Sequence, residues 1–229
     1  MVKYNLNNID YWVFDLDNTL YPAASNLFNK IDKKMKKFIS ETLDVSEINA
    51  HKIQKKYYKK YGTTLFGLMK HHKVDPDKFL KYVHNIDASS LTENSKLENE
   101  LKKLPGKLYI YTNGSKAHAI NVLKNLNIDY SLFDIFDIKD ANYIPKPSNK
   151  SLDKFITKYE INPNRSVFFE DIEINLKNPK IVGFKTVLIK STNHPDEKNK
   201  KKAINMKYID YTTYDLTKLL NNINIYINN

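Results

Sequence analysis

The chain has 229 residues, 41% of them hydrophobic and 12% aromatic, which is enough apolar material for a packed core and excludes an intrinsically disordered or fibrous chain. It has no cysteine, which excludes a disulfide framework, thiolate metal sites and a cysteine nucleophile and fits a reducing compartment. Lysine and arginine number 37 against 26 acidic residues, a formal charge of +11, but the basic residues are almost all lysines dispersed along the chain. No helix-turn-helix, zinc-finger or aromatic RNA-binding pattern accompanies them, so the charge reads as solvation and no nucleic-acid partner is expected. No stretch approaches the roughly 20 apolar residues of a membrane helix, and residues 1–8 carry no apolar signal core; the expectation is a cytoplasmic protein with no membrane partner.

In chain order, apolar runs of strand character occur at Ile9 to Phe14, Leu108 to Thr112, Ile135 to Ile138, Val167 to Phe169 and Thr186 to Ile189. From Asn113 onward they alternate with helical patterns, which predicts an α/β fold with a mostly parallel sheet and helices on both faces. Between the first two runs the pattern is helical. Leu27, Ile31, Met35 and Phe38 share one face, Tyr57 and Tyr61 a second, and Phe79, Leu80 and Val83 a third. Asp75-Pro76-Asp77 reads as a helix start with Asp75 as N-cap and Pro76 in the first turn. A crossover this long predicts a helical domain at 23–104 inserted into a core made of 1–22 and 105–229, with Pro105-Gly106 marking the return. Asn193 to Lys202 is expected to be an exposed loop, and Tyr214 to Ile227 a short packing helix.

The chemistry concentrates at strand ends. Val13-Phe14-Asp15-Leu16-Asp17-Asn18-Thr19-Leu20 is an apolar strand running directly into two carboxylates. Ligands of open parallel sheets bind beyond the C-terminal strand ends, so both acids are expected at the ligand crevice. The second strand ends in Thr112-Asn113-Gly114-Ser115 before a helix at Lys116 to Leu126, offering a hydroxyl and free amides suited to a phosphate. Lys146 stands between two prolines in Ile144-Pro145-Lys146-Pro147, unlike the other lysines in their flexible polar settings. Val167-Phe168-Phe169-Glu170-Asp171 again delivers acids to a strand end.

In this order and spacing the four segments resemble the motifs of the haloacid dehalogenase superfamily of phosphohydrolases. The resemblance covers about Ile9 to Ile189 and implies a Rossmann-like core, with the helical insertion in the place of that family's C1-type cap. Phe14-Asp15-Leu16-Asp17-Asn18-Thr19-Leu20-Tyr21-Pro22 is similar to the pyrimidine 5′-nucleotidase-like branch, as are Tyr58 to Leu68 and Tyr82 to Asp87 in the insertion.

The resemblance implies a role for each residue. Asp15 is the nucleophile that takes up the phosphoryl group, and Asp17 is the general acid and then base. Thr112 and the Asn113 amide hold phosphoryl oxygens, while Lys146 offsets their charge. Mg²⁺ is held by Asp15, the Asp17 carbonyl and Asp171, with Glu170 a direct or water-mediated ligand. The neighbouring carboxylate is expected to raise the Asp17 pKa and so supply the proton. Many members carry a further acid where Asn175 stands here; Asn175 is expected to orient water or Lys146, with Glu173 as the alternative acid. Candidate pocket residues are Tyr21, Asn26, Tyr61, Thr63, Thr64 and Leu65. The histidines show no paired ligand spacing and carry no expected role, His84 alone lying in a segment that resembles the nucleotidase branch.

The expected activity is hydrolysis of a small phosphorylated metabolite, a pyrimidine nucleoside 5′-monophosphate first, by a monomer or homodimer. Asp17 separates this from the dehalogenases of the superfamily, which lack the second acid because a halide leaves without a proton. Other small phosphates (a sugar phosphate, phosphoglycolate, pyridoxal phosphate) and a catalytically silent binding protein are the alternatives.

Overall fold

The computed structural model describes residues 6, 8–191 and 206–227. Six strands form one parallel sheet in the order β3-β2-β1-β4-β5-β6: β1 (Tyr11–Phe14), β2 (Lys107–Tyr111), β3 (Phe133–Phe136), β4 (Ser166–Glu170), β5 (Lys185–Ile189) and β6 (Tyr211–Thr213). The chain builds outward from β1 to β3 on one side, then crosses to β4 and builds outward on the other. The topological switch point therefore lies between β1 and β4, where ligands of such sheets bind. Phe14 is in register with Ile110 of β2 and Phe169 of β4, and the Asp15 amide donates to Phe169 O at 2.9 Å, so the acids after β1 and β4 leave the sheet side by side.

Alternation along the strands separates two apolar layers. Trp12, Phe14, Ile110, Val167 and Phe169 face α5 (Ser95–Lys102), α6 (Lys116–Asn125) and α9 (Leu216–Ile227), while Val13, Tyr109, Tyr111, Phe136 and Phe168 face α7 (Asn149–Tyr159) and the segment around α8 (Lys177–Val182). Both faces are covered, which is why these strands read as continuous apolar runs. A third cluster, including Ile31, Ile39, Tyr57, Leu65, Leu68, Phe79 and Val83, belongs to α1 (Leu27–Leu43), α2 (Glu47–Tyr61), α3 (Thr64–His72) and α4 (Pro76–Val83).

The helices 23–104 thus divide by what they bury. α1 to α4 make a core of their own, whereas α5 puts Leu97 and Leu101 into the sheet's layer, and Asn224 of α9 donates to Glu100. Asp75 caps α4 by accepting from the Asp77 and Lys78 amides, as its sequence predicts. Gly106 turns the chain back into β2 at φ +87°, where any Cβ would lie 2.2 Å from Asp10 O, so only glycine fits.

The structure departs from the sequence reading at several boundaries, β1 among them, which starts at Tyr11 and not at Ile9. β3 runs from Phe133 to Phe136 and ends two residues earlier than expected, because Asp137 leaves the ladder: its carboxylate accepts from the Lys139, Asp140 and Lys116 amides and closes a turn. β6 has no counterpart in the sequence reading, being three edge residues, Tyr211 and Thr213 half-buried and Thr212 exposed, with no apolar run. The tail helix starts at Leu216. The expected loop from Asn193 to Lys202 lies outside the described residues.

Candidate active site

The turn after β1 carries Asp15 into a buried position, 7% exposed, at the switch point. Lys146 reaches it from the loop before α7. Its ammonium donates to Asp15 Oδ1 at 2.6 Å, Glu170 Oε2 at 2.7 Å and Tyr111 O at 2.8 Å, so all three hydrogens are used. The lysine backbone is held in turn by Asn113, whose Oδ1 accepts from the Lys146 amide at 2.8 Å and whose Nδ2 donates to the Lys146 carbonyl. Asn113 thus positions the lysine through its side chain, a role the sequence did not indicate. Thr112 Oγ1 accepts from the Gly114 amide at 2.9 Å and shapes the loop.

Glu170 is committed on both oxygens, since Oε1 accepts from the Asp171 and Ile172 amides at 3.2 and 3.1 Å. One carboxylate oxygen from each of Asp15, Glu170 and Asp171 lies within 4.8 Å of the others. Such an oxygen-only set suits a hard divalent cation. Two residues with no expected role join it: Asn18, at φ 61°, points Nδ2 to Asp171 Oδ2 at 3.5 Å, and Thr19 Oγ1 donates to Asp15 Oδ2 at 3.4 Å. Burial and the nearby Glu170 push the Asp15 carboxyl up to about 7 against the pull of Lys146. Burial lifts Glu170 to about 7 as well. The Lys146 ammonium is pushed the other way from burial, upward, by its two carboxylates.

Asp17, on the same cavity floor, has different partners. Tyr21 OH donates to its Oδ1 at 2.5 Å, and His118 Nε2 lies 2.8 Å from the same oxygen. Burial acts to raise its pKa, but the His118 imidazole and the Tyr21 hydroxyl outweigh burial and hold it below the usual carboxylate value. The expected upward shift from the neighbouring carboxylate is thus reversed, because Asp17 faces two donors while Asp15 faces Glu170. His118 is 1% exposed and stacks on His84, with ring centroids 4.4 Å apart and planes at 10°. Sequence reasoning passed over both histidines. The available signal was position: His118 is the third residue of a helix capped by Ser115 at the ligand end of the sheet.

A cavity of about 850 Å³ opens between these strand ends and the helices α1, α2, α3 and α4. Asp15, Asp17, Thr112, Asn113, Lys146, Glu170, Asp171 and Asn175 line its floor, and Tyr61, Thr63, Thr64 and Leu65 its far wall. Tyr21 and Asn26 do not line it. Tyr21 is buried against Asp17, and Asn26 accepts from Asn29 on the outer surface at the start of α1. Asn175 is buried at the floor but does not orient Lys146, whose hydrogens go elsewhere.

A parallel sheet with this switch point and four acids at its strand ends defines an open α/β protein whose ligand site lies beyond the strand ends, and comparison with known proteins gives the family. Residues 9–177 match the haloacid dehalogenase-like hydrolase family, and the chain belongs to it. A curated relative, Phosphate metabolism protein 8 of Saccharomyces cerevisiae, is 32% identical over 136 residues, 54% of this chain and 40% of that protein. The match therefore spans well under half the length of that relative. Among solved structures, a HAD phosphatase from Thermococcus onnurineus superposes with a TM-score of 0.62 at 19% identity, covering 94% of this chain and 98% of that one. The HAD-hydrolase YfnB from Bacillus subtilis bound to magnesium gives 0.60 at 15% identity, covering 95% and 100%. L-2-haloacid dehalogenase from Xanthobacter autotrophicus gives 0.58 at 17%, covering 94% and 98%. These likenesses establish the fold and span both chemistries of the superfamily.

Proposed function

We propose that the chain is a Mg²⁺-dependent phosphomonoesterase that works through an aspartyl-phosphate, with a nucleoside 5′-monophosphate, pyrimidine preferred, as substrate. The observation that carries this reading is the unlike setting of the two acids after β1. Asp15 is held by Lys146 at the cavity floor, while Asp17 is oriented through Oδ1 alone, with no hydrogen bond from the described residues on Oδ2. The roles follow from these positions, Asp15 beside Lys146 and Asp17 with a free oxygen toward the cavity, and not from the pKa directions, which run the other way. Asp15 attacks phosphorus as the ester P–O bond breaks, and Asp17, which has to take up a proton against the downward pull of His118 and Tyr21, gives it from Oδ2 to the departing alkoxide. Asp17 then takes a proton from the water that attacks the aspartyl-phosphate. Thr112 and the Asn113 amide hold the phosphoryl oxygens, and Lys146 balances the charge gathered on Asp15. The name of the yeast relative, which speaks of phosphate metabolism, agrees with this reading.

Asp15, Asp171 and the Asp17 carbonyl would hold Mg²⁺; Glu170, with both oxygens in use, serves to fix Lys146 and the Asp171 loop. Bound there, the cation supplies charge neutralisation at the phosphoryl oxygens. The helices α1 to α4 act as the cap, and Tyr61, Thr63, Thr64 and Leu65 face the leaving group. Phe28, Ile31, Met35, Phe79, Leu80 and Val83 also line the cavity, and this apolar breadth supports a leaving group the size of a nucleoside over a two- or three-carbon phosphate.

The test is phosphate release with Mg²⁺ or chelator across UMP, CMP, AMP, GMP, sugar phosphates, phosphoglycolate and pyridoxal phosphate. Highest Mg²⁺-dependent release from UMP or CMP is the expected result, and Asp15→Asn is expected to abolish it. Preference for another ester moves the substrate but keeps the chemistry. Unchanged turnover by Asp15→Asn, or no release from any ester, removes it.

A further inference from the structure

The His118 and His84 pair has no part in the steps above, yet it touches the acid that moves the proton. Two donors converge on one oxygen of Asp17: Tyr21 OH, four residues away, and His118 Nε2, from a helix 101 residues further on. The torsion that turns an aspartate carboxyl is soft, so one donor leaves the group free to swing about the bond it makes. A second donor from an independent element removes that freedom. Both bonds fall on Oδ1, which leaves Oδ2 as the oxygen that meets the leaving group.

The His118 ring is itself fixed. Its amide donates to Ser115 Oγ at 3.3 Å, and the same hydroxyl lies 2.9 Å from His84 Nδ1. His84 ends α4, with its amide bonded to Leu80 O at 3.0 Å, and its ring lies flat on that of His118. Behind His118 the loop is closed: a Cβ on Gly114 would come within 3.3 Å of the ring. His84 also lines the cavity, whereas the His118 ring is sealed beneath it. An imidazole placed only to fill space needs neither an oriented carboxylate partner nor a stacked ring tying it to another helix.

We propose that His118 is a positioning residue: it turns the Asp17 carboxyl so that Oδ2 faces the leaving group, and His84, at the end of α4, holds the His118 ring in place. The proposal rests on the phosphatase reading of this site and adds a residue to it.

The test compares His118→Gln, whose amide nitrogen reaches the place of Nε2, with His118→Met, of similar length but without a donor. Each is assayed with Mg²⁺ on p-nitrophenyl phosphate, whose leaving group departs without a proton, and on an alkyl ester, UMP. In His118→Met the ratio of kcat/KM for UMP to that for p-nitrophenyl phosphate is expected to fall about 100-fold, the scale of general acid catalysis, and in His118→Gln less than about fivefold. His84→Leu is expected to lower the same ratio in the same direction by a smaller factor; this variant and His118→Gln carry the test if His118→Met does not fold. Equal losses on both esters in the donor-less variant, or an unchanged ratio in it and in His84→Leu, would overturn the proposal and mark the pair as core packing. Absence of Mg²⁺-dependent release by the unmodified protein from these two esters and from every ester of the panel above is a different result, and it removes the phosphatase reading together with the role built on it.

Discussion

At the scale of single residues, the ammonium of Lys146 is the joint of the site. It is 3% exposed, and its three hydrogens join Asp15, Glu170 and the Tyr111 carbonyl, groups from three strands. Removing one member of a buried charged set leaves the others unpaired, which is far costlier than the pair's net worth. Lys146→Met is therefore expected to cost about 3 kcal/mol of stability in addition to turnover, measured by urea unfolding in chelator at neutral pH. A loss below about 1 kcal/mol would mean that water or a proton compensates the two acids. Asp17 illustrates the opposite case. Its shift runs downward although it is buried, because donors and not acids surround it.

At the scale of elements, edge strand β6 is attached by a polar device. Asp210, just before β6, accepts from the Thr186 amide at 2.9 Å and pairs with Lys180 of α8. Burial acts to raise the Asp210 pKa, but the Lys180 ammonium and the Thr186 amide outweigh it and lower it from 3.8. A carboxyl lowered in the folded state contributes stability that is present above its unfolded value and is lost as pH falls through the folded one. Asp210→Asn is thus expected to cost about 2 kcal/mol at pH 7 and progressively less below about pH 4, read from urea midpoints at both pH values. A deficit that stays constant with pH would assign the effect to shape and not to charge. The same scale explains α5. Its polar pattern resembles that of α1 to α4, and only its contacts, Leu97 and Leu101 against the sheet's apolar layer, separate it from them.

At the scale of the whole molecule, a formal charge of +11 invites a polyanionic partner, yet the site is a cavity between helices and strand ends. A protein that neutralises several nucleic-acid phosphates loses about 10³- to 10⁵-fold in affinity between 50 and 200 mM salt. Hydrolysis of a small ester in this cavity is expected to lose less than about tenfold in kcat/KM over that range, measured with UMP. A steeper slope would show the lysines acting on a larger anion. Among the described residues no helix is long and apolar enough to cross a membrane.

The chain order of strands and helices was legible because both faces of the sheet are covered, which writes each inner strand as an apolar run. The floor of the site was legible for the same reason: Asp15, Asp17, Glu170 and Asp171 follow such runs directly, and Lys146 stands apart between its prolines. Local rules also decided the Asp75 cap and the glycine at position 106. Other features depend on residues far apart in sequence. The edge strand, the place of α5, the clamp of Asn113 on Lys146 and the grip of Tyr21 and His118 on Asp17 are set by which elements the sheet brings together. Periodicity records what a segment buries, not which segment it meets. The residue types after the strands were therefore fixed by the sequence alone, whereas the direction of each carboxyl and of its pKa was decided only by the partners that folding placed around it.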